Sequence, residues 1–98
     1  MADYHEPVES LDEAALNIVR ALRSLKEEVE AVEWYHQRVV ASRDETLRRV
    51  LAHNRDEEKE HAAMLLEWIR RQDPAQAKEL KDYLFTEGSV TELEEGHS

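Results

Sequence analysis

The chain has 98 residues, which suits one small domain and gives no reason to expect a second independent core. Its formal net charge at pH 7 is -10, from 23 acidic and 13 basic residues, so we expect no nucleic-acid partner. Because there is no cysteine, any bound metal would need carboxylate oxygen and imidazole nitrogen as ligands. No apolar run reaches the roughly 20 residues that span a bilayer and no signal peptide is recognisable, which predicts a soluble cytoplasmic protein without a membrane partner.

The first half of the chain has the apolar spacing of a long helix. With only two glycines and two prolines, and with abundant Glu, Leu, Ala and Arg, the composition predicts an all-α chain. Ser10 and Glu13 resemble a capping box, so the first helix is predicted to cover residues 11–41. Its apolar positions recur at alternating steps of four and three, with His36 filling one gap. These positions are Leu11, Ala15, Ile18, Leu22, Leu25, Val29, Val32 and Val39.

A second long helix is predicted directly after the first. Ser42 and Glu45 repeat the capping pattern, which indicates a tight reversal near Arg43 and a helix that continues to about Arg71. The two helices would form an antiparallel hairpin. Because its two apolar stripes would leave much surface uncovered, such a hairpin needs a partner.

The C-terminal part predicts one short helix followed by an irregular end. Asp73 before Pro74 reads as a helix cap followed by proline in the first turn, and Gly88 is predicted to end this third helix. Residues 89–98 are acidic and show no apolar period. We expect them to be flexible, as we do residues 1–9.

Polar side chains interrupt the apolar seam of the second helix. A carboxylate on such a seam is costly unless a cation or a hydrogen bond compensates it. Glu58 and His61 are three residues apart, so they share one helix face about one turn apart and could bind a common ion. In di-metal carboxylate bundles, two helices each supply this Glu-x-x-His pair and two others each supply a Glu. The full seam reads Leu47, Leu51, Asn54, Glu58, His61, Leu65 and Trp68.

Glu28 is the candidate for the missing carboxylate. It stands three residues after Leu25 and four before Val32, so it lies against the apolar stripe of the first helix. One chain then supplies two carboxylates and one imidazole, and two chains related by a twofold axis would supply enough ligands for two adjacent ions. We therefore predict a metal site between two subunits. Tyr35, on the same face, is predicted to support it by hydrogen bonding or by lying beside the metal.

Other interpretations of these residues stay open on the spacing alone. Glu58 could pair with Arg55 or Lys59 in a solvated network, and His61 could be a satisfied core histidine. The chain would then be a non-catalytic helical assembly module, whose polar core residues only fix register, or a divalent-metal buffer without redox chemistry. Oxygen carriage of the hemerythrin type is less expected because only His61 is well placed among the histidines.

Several further polar and aromatic residues have less specific patterns. Glu27, Glu30 and Glu33 form an acidic stripe, which is either a solvated face or a means of drawing metal cations toward the site. Trp34 beside Tyr35 is more often core or interface filling than a redox relay, and so are the other large aromatics. No catalytic role is expected for the remaining histidines, which are His5, His36, His53 and His97.

Three strings resemble one known family closely, the encapsulated ferritins. They are EAVEWYHQRV at residues 30–39, LAHNRDEEKEHAAM at residues 51–64 and YLFTEG at residues 83–88. The resemblance implies a single ferritin-like half-bundle domain of residues 1–98 that dimerises into a four-helix bundle and assembles into a larger ring, expected to be a decamer. It also implies a ferroxidase that oxidises Fe²⁺ to Fe³⁺ with O₂ and feeds iron storage inside an encapsulin nanocompartment.

The same resemblance assigns roles to five residues of the predicted centre. Glu28, Glu58 and His61 correspond to the ligands of a di-iron centre shared by two subunits. Tyr35 and Trp34 correspond to residues that line this centre.

The resemblance also concerns the acidic stripe and the C-terminal end. Glu27 and Glu30 correspond to a metal-uptake site, which could also hold calcium or another divalent ion. Family members carry a short C-terminal peptide that docks to the inner wall of the encapsulin shell. No apolar docking motif is recognisable after Gly88, and we expect the sequence to be truncated there.

Overall fold

The computed structural model describes residues 4–97, and in this range it contains helices and no strand. A short 3₁₀ turn, Val8–Ser10, precedes the helices. This confirms the all-α prediction. The four α-helices are α1 (Glu13–Ala41), α2 (Glu45–Gln72), α3 (Pro74–Tyr83) and α4 (Val90–His97).

The two long helices form the predicted antiparallel hairpin. α1 has 29 residues and α2 has 28, so each is about 43 Å long at about 1.5 Å per residue. Contacts across the hairpin join the end of α1 to the start of α2, and α3 packs on α2 while α4 packs on α3. None of these helices is both long enough and apolar enough to cross a membrane, within the part of the chain that the structure describes.

The predicted N-caps of both long helices are wrong, because aspartates and not serines hold these positions. Asp12 caps α1 and Asp44 caps α2, and each carboxylate accepts a hydrogen bond of 2.8 Å from the backbone amide three residues later. An aspartate also carries the negative charge that a helix N-terminus favours. Ser10 lies in the 3₁₀ turn, and Ser42 is the C-cap of α1.

The third helix starts as predicted but ends earlier than predicted. Asp73 accepts hydrogen bonds from the two amides after Pro74, at 3.0 and 3.2 Å. The helix ends at Tyr83 and not near Gly88, because the C-cap residue Leu84 is extended, with ψ of 141°, and Phe85 after it is left-handed, with φ of 60°. Gly88, with φ of 92°, lies instead in the link to α4.

α4 was not predicted from the sequence, where this segment was expected to lack regular structure. It has eight residues and one half-buried apolar side chain, Leu93, so its apolar period is too short to recognise. Contact with α3 supplies the tertiary support that a short helix needs.

The single hairpin has almost no interior. Among residues 4–97, only Ala21 and Ile69 are buried apolar residues, with 7% and 3% of their surface exposed. Leu22 and Val29 of the predicted seam are 50% and 56% exposed, so they do not pack fully against the second helix of the same chain. The radius of gyration is 17.5 Å, against about 13 Å for a compact domain of this length. The isolated chain therefore exposes apolar surface that a folded monomer would normally bury.

Candidate metal centre

Three metal-binding side chains converge where α1 faces α2. The Nδ1 atom of His61 lies 3.7 Å from Oε2 of Glu28 and 3.6 Å from Oε2 of Glu58. Glu58 and His61 meet because they are one turn apart on α2, and Glu28 reaches them from α1 because the helices are antiparallel. The ligand atoms of the three residues all lie within 4.8 Å of one another.

The contacts inside this cluster are not hydrogen bonds. Distances of 3.6 and 3.7 Å exceed the range in which a nitrogen donates effectively to oxygen. Oε2 of Glu28 is buried and has no hydrogen-bond partner. A buried carboxylate oxygen without a partner is unfavourable, and a cation at this point would compensate it. The two oxygens and one imidazole nitrogen suit Fe²⁺ and similar divalent metals.

The cluster lies at the side of the hairpin and not in an enclosed interior. The side chains of Glu28 and Glu58 are 25% and 24% exposed, and that of His61 is 45% exposed. Three ligand atoms are fewer than the number that an iron ion binds, so further ligands have to come from outside this cluster. The chain therefore holds an incomplete site that opens toward its surroundings.

The alternative in which Glu58 pairs with a neighbouring cation is not observed. Arg55 and Lys59 both contact Asp56, at 3.2 and 3.3 Å from its Oδ1 atom. The hydrogen bond from Arg55, followed by that from Lys59, lowers the pKa of Asp56 below its usual value. The two cations nearest in sequence to Glu58 are thus engaged by another carboxylate.

Tyr35 and Trp34 lie apart from the three-residue cluster within one chain. Tyr35 is seven residues after Glu28, which corresponds to about 10 Å along the helix axis. Its ring is half-buried beneath the guanidinium of Arg38, at 5.2 Å from the ring centroid. Trp34 is 50% exposed. A direct role of either residue at the metal would therefore require the site of a second subunit.

The acidic stripe on α1 is exposed to solvent. Glu27 and Glu30 join neither of the metal-type clusters that the structure brings together in residues 4–97. Glu33 accepts a hydrogen bond of 3.0 Å from Gln37. In the single chain this stripe has the properties of a solvated face.

The structure also groups Glu57 and Glu60 with His61, which the sequence analysis did not single out. Their signal in the sequence is the same helical spacing that joins Glu58 to His61. Both carboxylates are exposed, and Glu57 contacts Nε2 of His53 at 3.1 Å. Exposed carboxylates are common on solvated helix faces, so this group carries less weight than the partly buried cluster.

Comparison with known proteins places these features in a family context. The EncFtn-like family model matches residues 3–87. A ferritin-like protein of Thermotoga maritima is 62% identical over 96 residues, which cover 97% of this chain and 84% of the relative. The crystal structure of a protein from Nitrosomonas europaea is 60% identical, with a TM-score of 0.87 over 91% of this chain and 98% of the other.

Two further relatives have names that refer to encapsulation. An encapsulated ferritin-like protein of Rhodospirillum rubrum is 60% identical over 90 residues, covering 92% of this chain. The encapsulin nanocompartment cargo protein EncC of Myxococcus xanthus is 36% identical over 66 residues, covering 66% of this chain. The matched parts are 64% and 51% of these two relatives, which are therefore longer than the region shared with this chain.

Proposed function

This chain belongs to the EncFtn-like family, and on that premise we propose that it is a ferroxidase, which oxidises Fe²⁺ to Fe³⁺ with O₂. The resemblance to encapsulated ferritins that the sequence strings indicated is confirmed by the family match and by the named relatives. The ferroxidase activity itself is our inference from the geometry of the cluster of Glu28, Glu58 and His61.

The observation that carries this proposal is the unpaired, buried Oε2 atom of Glu28. It faces His61 at 3.7 Å, and His61 faces Glu58 at 3.6 Å, so two oxygens and one nitrogen point toward a common position. A purely structural cluster would be expected to close these distances to hydrogen-bond length, because unsatisfied buried polar groups are destabilising. Fe²⁺ binding supplies the missing partner.

We infer that the complete site forms between two copies of the chain. Two copies supply four carboxylates and two imidazoles, which are the ligands of a di-iron carboxylate centre in a four-helix bundle. The exposed apolar side chains of Val29 and Met64, next to Glu28 and one turn beyond His61, support a second copy at this face. Such dimers would assemble further into a ring, for which we propose a decamer.

In this proposal Fe²⁺ is the substrate and the chain supplies its ligands. Glu58 would bridge two ions, with Glu28 and His61 at the flanks and Tyr35 and Trp34 lining the site from the assembled interface. Two Fe²⁺ ions together give two electrons to one O₂, which takes up two protons and becomes hydrogen peroxide. Carboxylate oxygens favour the Fe³⁺ product because they are hard, negatively charged ligands, and one imidazole per ion leaves positions open for O₂.

The acidic residues Glu27 and Glu30 are proposed to raise the local Fe²⁺ concentration near the site, and they could also bind calcium or another divalent ion. Support comes from their exposure on α1 in a chain with net charge -10. Clustered negative charge attracts cations most strongly at low ionic strength, so this contribution to the rate of uptake should weaken in salt.

We propose that the protein is the cargo of an encapsulin shell and acts inside such a nanocompartment in the cytoplasm. The relative from Rhodospirillum rubrum is named as encapsulated and that from Myxococcus xanthus as encapsulin cargo. A hairpin with only two buried apolar residues in the described range has no interior that could enclose a mineral. An outer shell would hold the Fe³⁺ that the centre produces.

The direct test is the substitution Glu58→Ala in the assembled protein. We expect O₂-dependent oxidation of Fe²⁺, followed by the absorbance of Fe³⁺ and by O₂ consumption, to fall to the rate of buffer alone. Glu79→Ala on α3 is the matched control, because it removes an exposed carboxylate far along the chain and should leave the rate unchanged. An unchanged rate in Glu58→Ala would instead indicate a non-catalytic assembly module.

Anomalous scattering from an iron-loaded crystal tests the location of the site. We expect two ions between subunits, each close to Glu28, Glu58 and His61. Iron bound at this position without oxidation would indicate a divalent-metal buffer, and iron scattered over surface carboxylates would contradict the proposed centre.

A further inference from the structure

One polar contact across the hairpin has no part in the site described above. Nη1 of Arg55 on α2 lies 3.1 Å from Nδ1 of His36 on α1. The Arg55 side chain is only 19% exposed, and its Nε atom also donates to Oδ1 of Asp56 at 3.2 Å. The guanidinium is therefore held by its own helix at one end and joined to the other helix at the opposite end.

The chemistry of the two groups decides the direction of this hydrogen bond. A guanidinium stays protonated and can only donate, so Nδ1 of His36 has to be the acceptor. The imidazole is then neutral and carries its hydrogen on Nε2. The Arg55 donors lie in one plane, and the acceptor of His36 is a single lone pair in the plane of its ring. The bond is therefore sensitive to both the rotation and the sliding of one helix against the other.

Along the chain, this contact lies nearer to the metal ligands on α2 than to the one on α1. Arg55 precedes Glu58 by three residues, which is about one turn of α2, and His36 follows Glu28 by about two turns of α1. Toward the hairpin connection, another hydrogen bond between α1 and α2 runs from Arg48 to the carbonyl of Val39, at 3.2 Å. The pair of Arg55 and His36 thus joins the helices between this bond and the point where Glu28 faces Glu58, about one turn from Glu58 and two turns from Glu28.

We propose that Arg55 and His36 are positioning residues that set the register of α1 against α2 and thereby hold Glu28 at the correct distance from Glu58 and His61. This inference rests on the proposed role of these three residues as metal ligands. A slip of one residue shifts a helix by about 1.5 Å, and displacements of about 1 Å are enough to weaken binding and catalysis strongly. The pair matters because few apolar contacts in the chain are fully buried.

Co²⁺ binding to the metal-free, assembled protein tests this role without any iron oxidation. The variants are His36→Leu, which removes the acceptor, and Arg55→Met, which removes the donor. We expect each to weaken Co²⁺ binding about 10-fold and to change the visible absorption spectrum of the bound ion, because the ligands are misplaced. The double variant should be no weaker than either single variant, since the two residues act through one bond.

A conservative variant and two matched controls separate positioning from general stability. His36→Asn places an amide oxygen near the position of Nδ1, and we expect it to restore Co²⁺ affinity to within about 2-fold of the unmodified protein. Gln37→Leu and Arg49→Met are matched polar-to-apolar changes at residues that contact a glutamate of their own helix, Glu33 and Glu45. Both controls should bind Co²⁺ normally.

Circular dichroism and sedimentation accompany each titration, so that a variant that fails to fold or assemble is replaced by its partner variant on the other helix. Co²⁺ affinity and spectrum unchanged in both His36→Leu and Arg55→Met would overturn the proposal, even if the unmodified protein oxidises iron. Conversely, loss of Co²⁺ affinity in these variants supports the positioning pair even if the unmodified protein does not oxidise Fe²⁺, in which case the ferroxidase proposal alone fails.

Discussion

Oε2 of Glu28 and Nδ1 of His61 lie 3.7 Å apart across two antiparallel helices, and the glutamate oxygen is buried without a hydrogen-bond partner. This buried oxygen lowers the stability of the fold unless a cation binds to it. The relationship between these two atoms leads to a prediction about stability as well as one about activity.

Replacing Glu28 by Met should stabilise the metal-free protein and abolish its stabilisation by metal. Met has a similar length and leaves no unpaired oxygen, so the free energy of unfolding in a chelator should rise by about 1 kcal/mol. Added Co²⁺ should stabilise the unmodified protein but not this variant. Thermal unfolding at equal protein concentration measures both effects. Glu33→Met, at an exposed position of α1, is the control, and a less stable Glu28→Met protein in chelator would contradict the assignment.

The exposed apolar face predicts self-association through the side of the hairpin that carries the metal ligands. Met64 is 66% exposed and lies one turn after His61. A charged side chain at this position should therefore prevent a second copy of the chain from packing against this face. We expect Met64→Lys to shift the protein toward the 98-residue monomer in sedimentation velocity, whereas Gln72→Lys, at the exposed end of α2, should not. An unmodified protein that sediments as a monomer at micromolar concentration would refute this prediction.

A carboxylate near the end of α2 predicts a defined pH dependence. Hydrogen bonds from Arg70, at 2.6 and 2.7 Å, and then from Arg71, at 2.7 Å, lower the pKa of Glu67 from 4.5 to about 2. Because the folded pKa is the lower one, this contribution to stability is fully present above pH 4.5 and is lost as the pH falls toward 2.

The difference in stability between the unmodified protein and Glu67→Gln should accordingly disappear as the pH falls from 4.5 toward 2. Carbon-detected NMR of the Glu67 carboxyl should show a titration midpoint near 2. Glu87→Gln, at an exposed position after α3, is the control and should show no such change with pH. A Glu67 midpoint near the usual value of 4.5 would show that the two arginines do not hold the carboxylate in solution.

The cap of α2 provides a test of the corrected helix start. Asp44 accepts a hydrogen bond of 2.8 Å from the Leu47 amide, whereas the Ser42 hydroxyl accepts one of 3.4 Å from the Asp44 amide. Asp44→Ala should therefore lower the free energy of unfolding by about 1 kcal/mol. Ser42→Ala should change it by less than about 0.5 kcal/mol, as surface substitutions usually do. Denaturant unfolding measures the stability of both variants. A larger loss of stability in Ser42→Ala than in Asp44→Ala would show that the serine caps α2.

Local spacing in the sequence was sufficient to predict the first three helices but not α4, because helical periodicity is recognisable only over a run of several turns. The long helices, the reversal between them and the start of α3 at Asp73 were all recognisable in this way. Glu58 and His61 stood out for the same reason, since two polar residues one turn apart interrupted an apolar seam. The family strings then supplied the likeness to encapsulated ferritins.

The sequence was a poorer guide wherever two nearby residues competed for one role. Ser42 and Asp44 both suit a helix cap, and the path of the backbone decides that the aspartate faces the free amides. Gly88 suits a left-handed helix end, yet the backbone already leaves the helix at Leu84, which is extended. Leu22 and Val29 fit the heptad spacing, yet they are exposed in the single chain.

By itself, therefore, the sequence determined the two long helices, the start of α3, the polar interruption of the seam and the family, because each depends on residues that are neighbours along the chain. Only the tertiary structure decided how Glu28 and His61 meet, because the distance between two helices depends on their packing and register. It also showed that Oε2 of Glu28 has no partner and that Arg55 reaches His36. Glu28 and His61 were predicted as ligands of one ion. The structure added that the Glu28 oxygen facing His61 has no hydrogen-bond partner, which is the physical reason to expect a metal there.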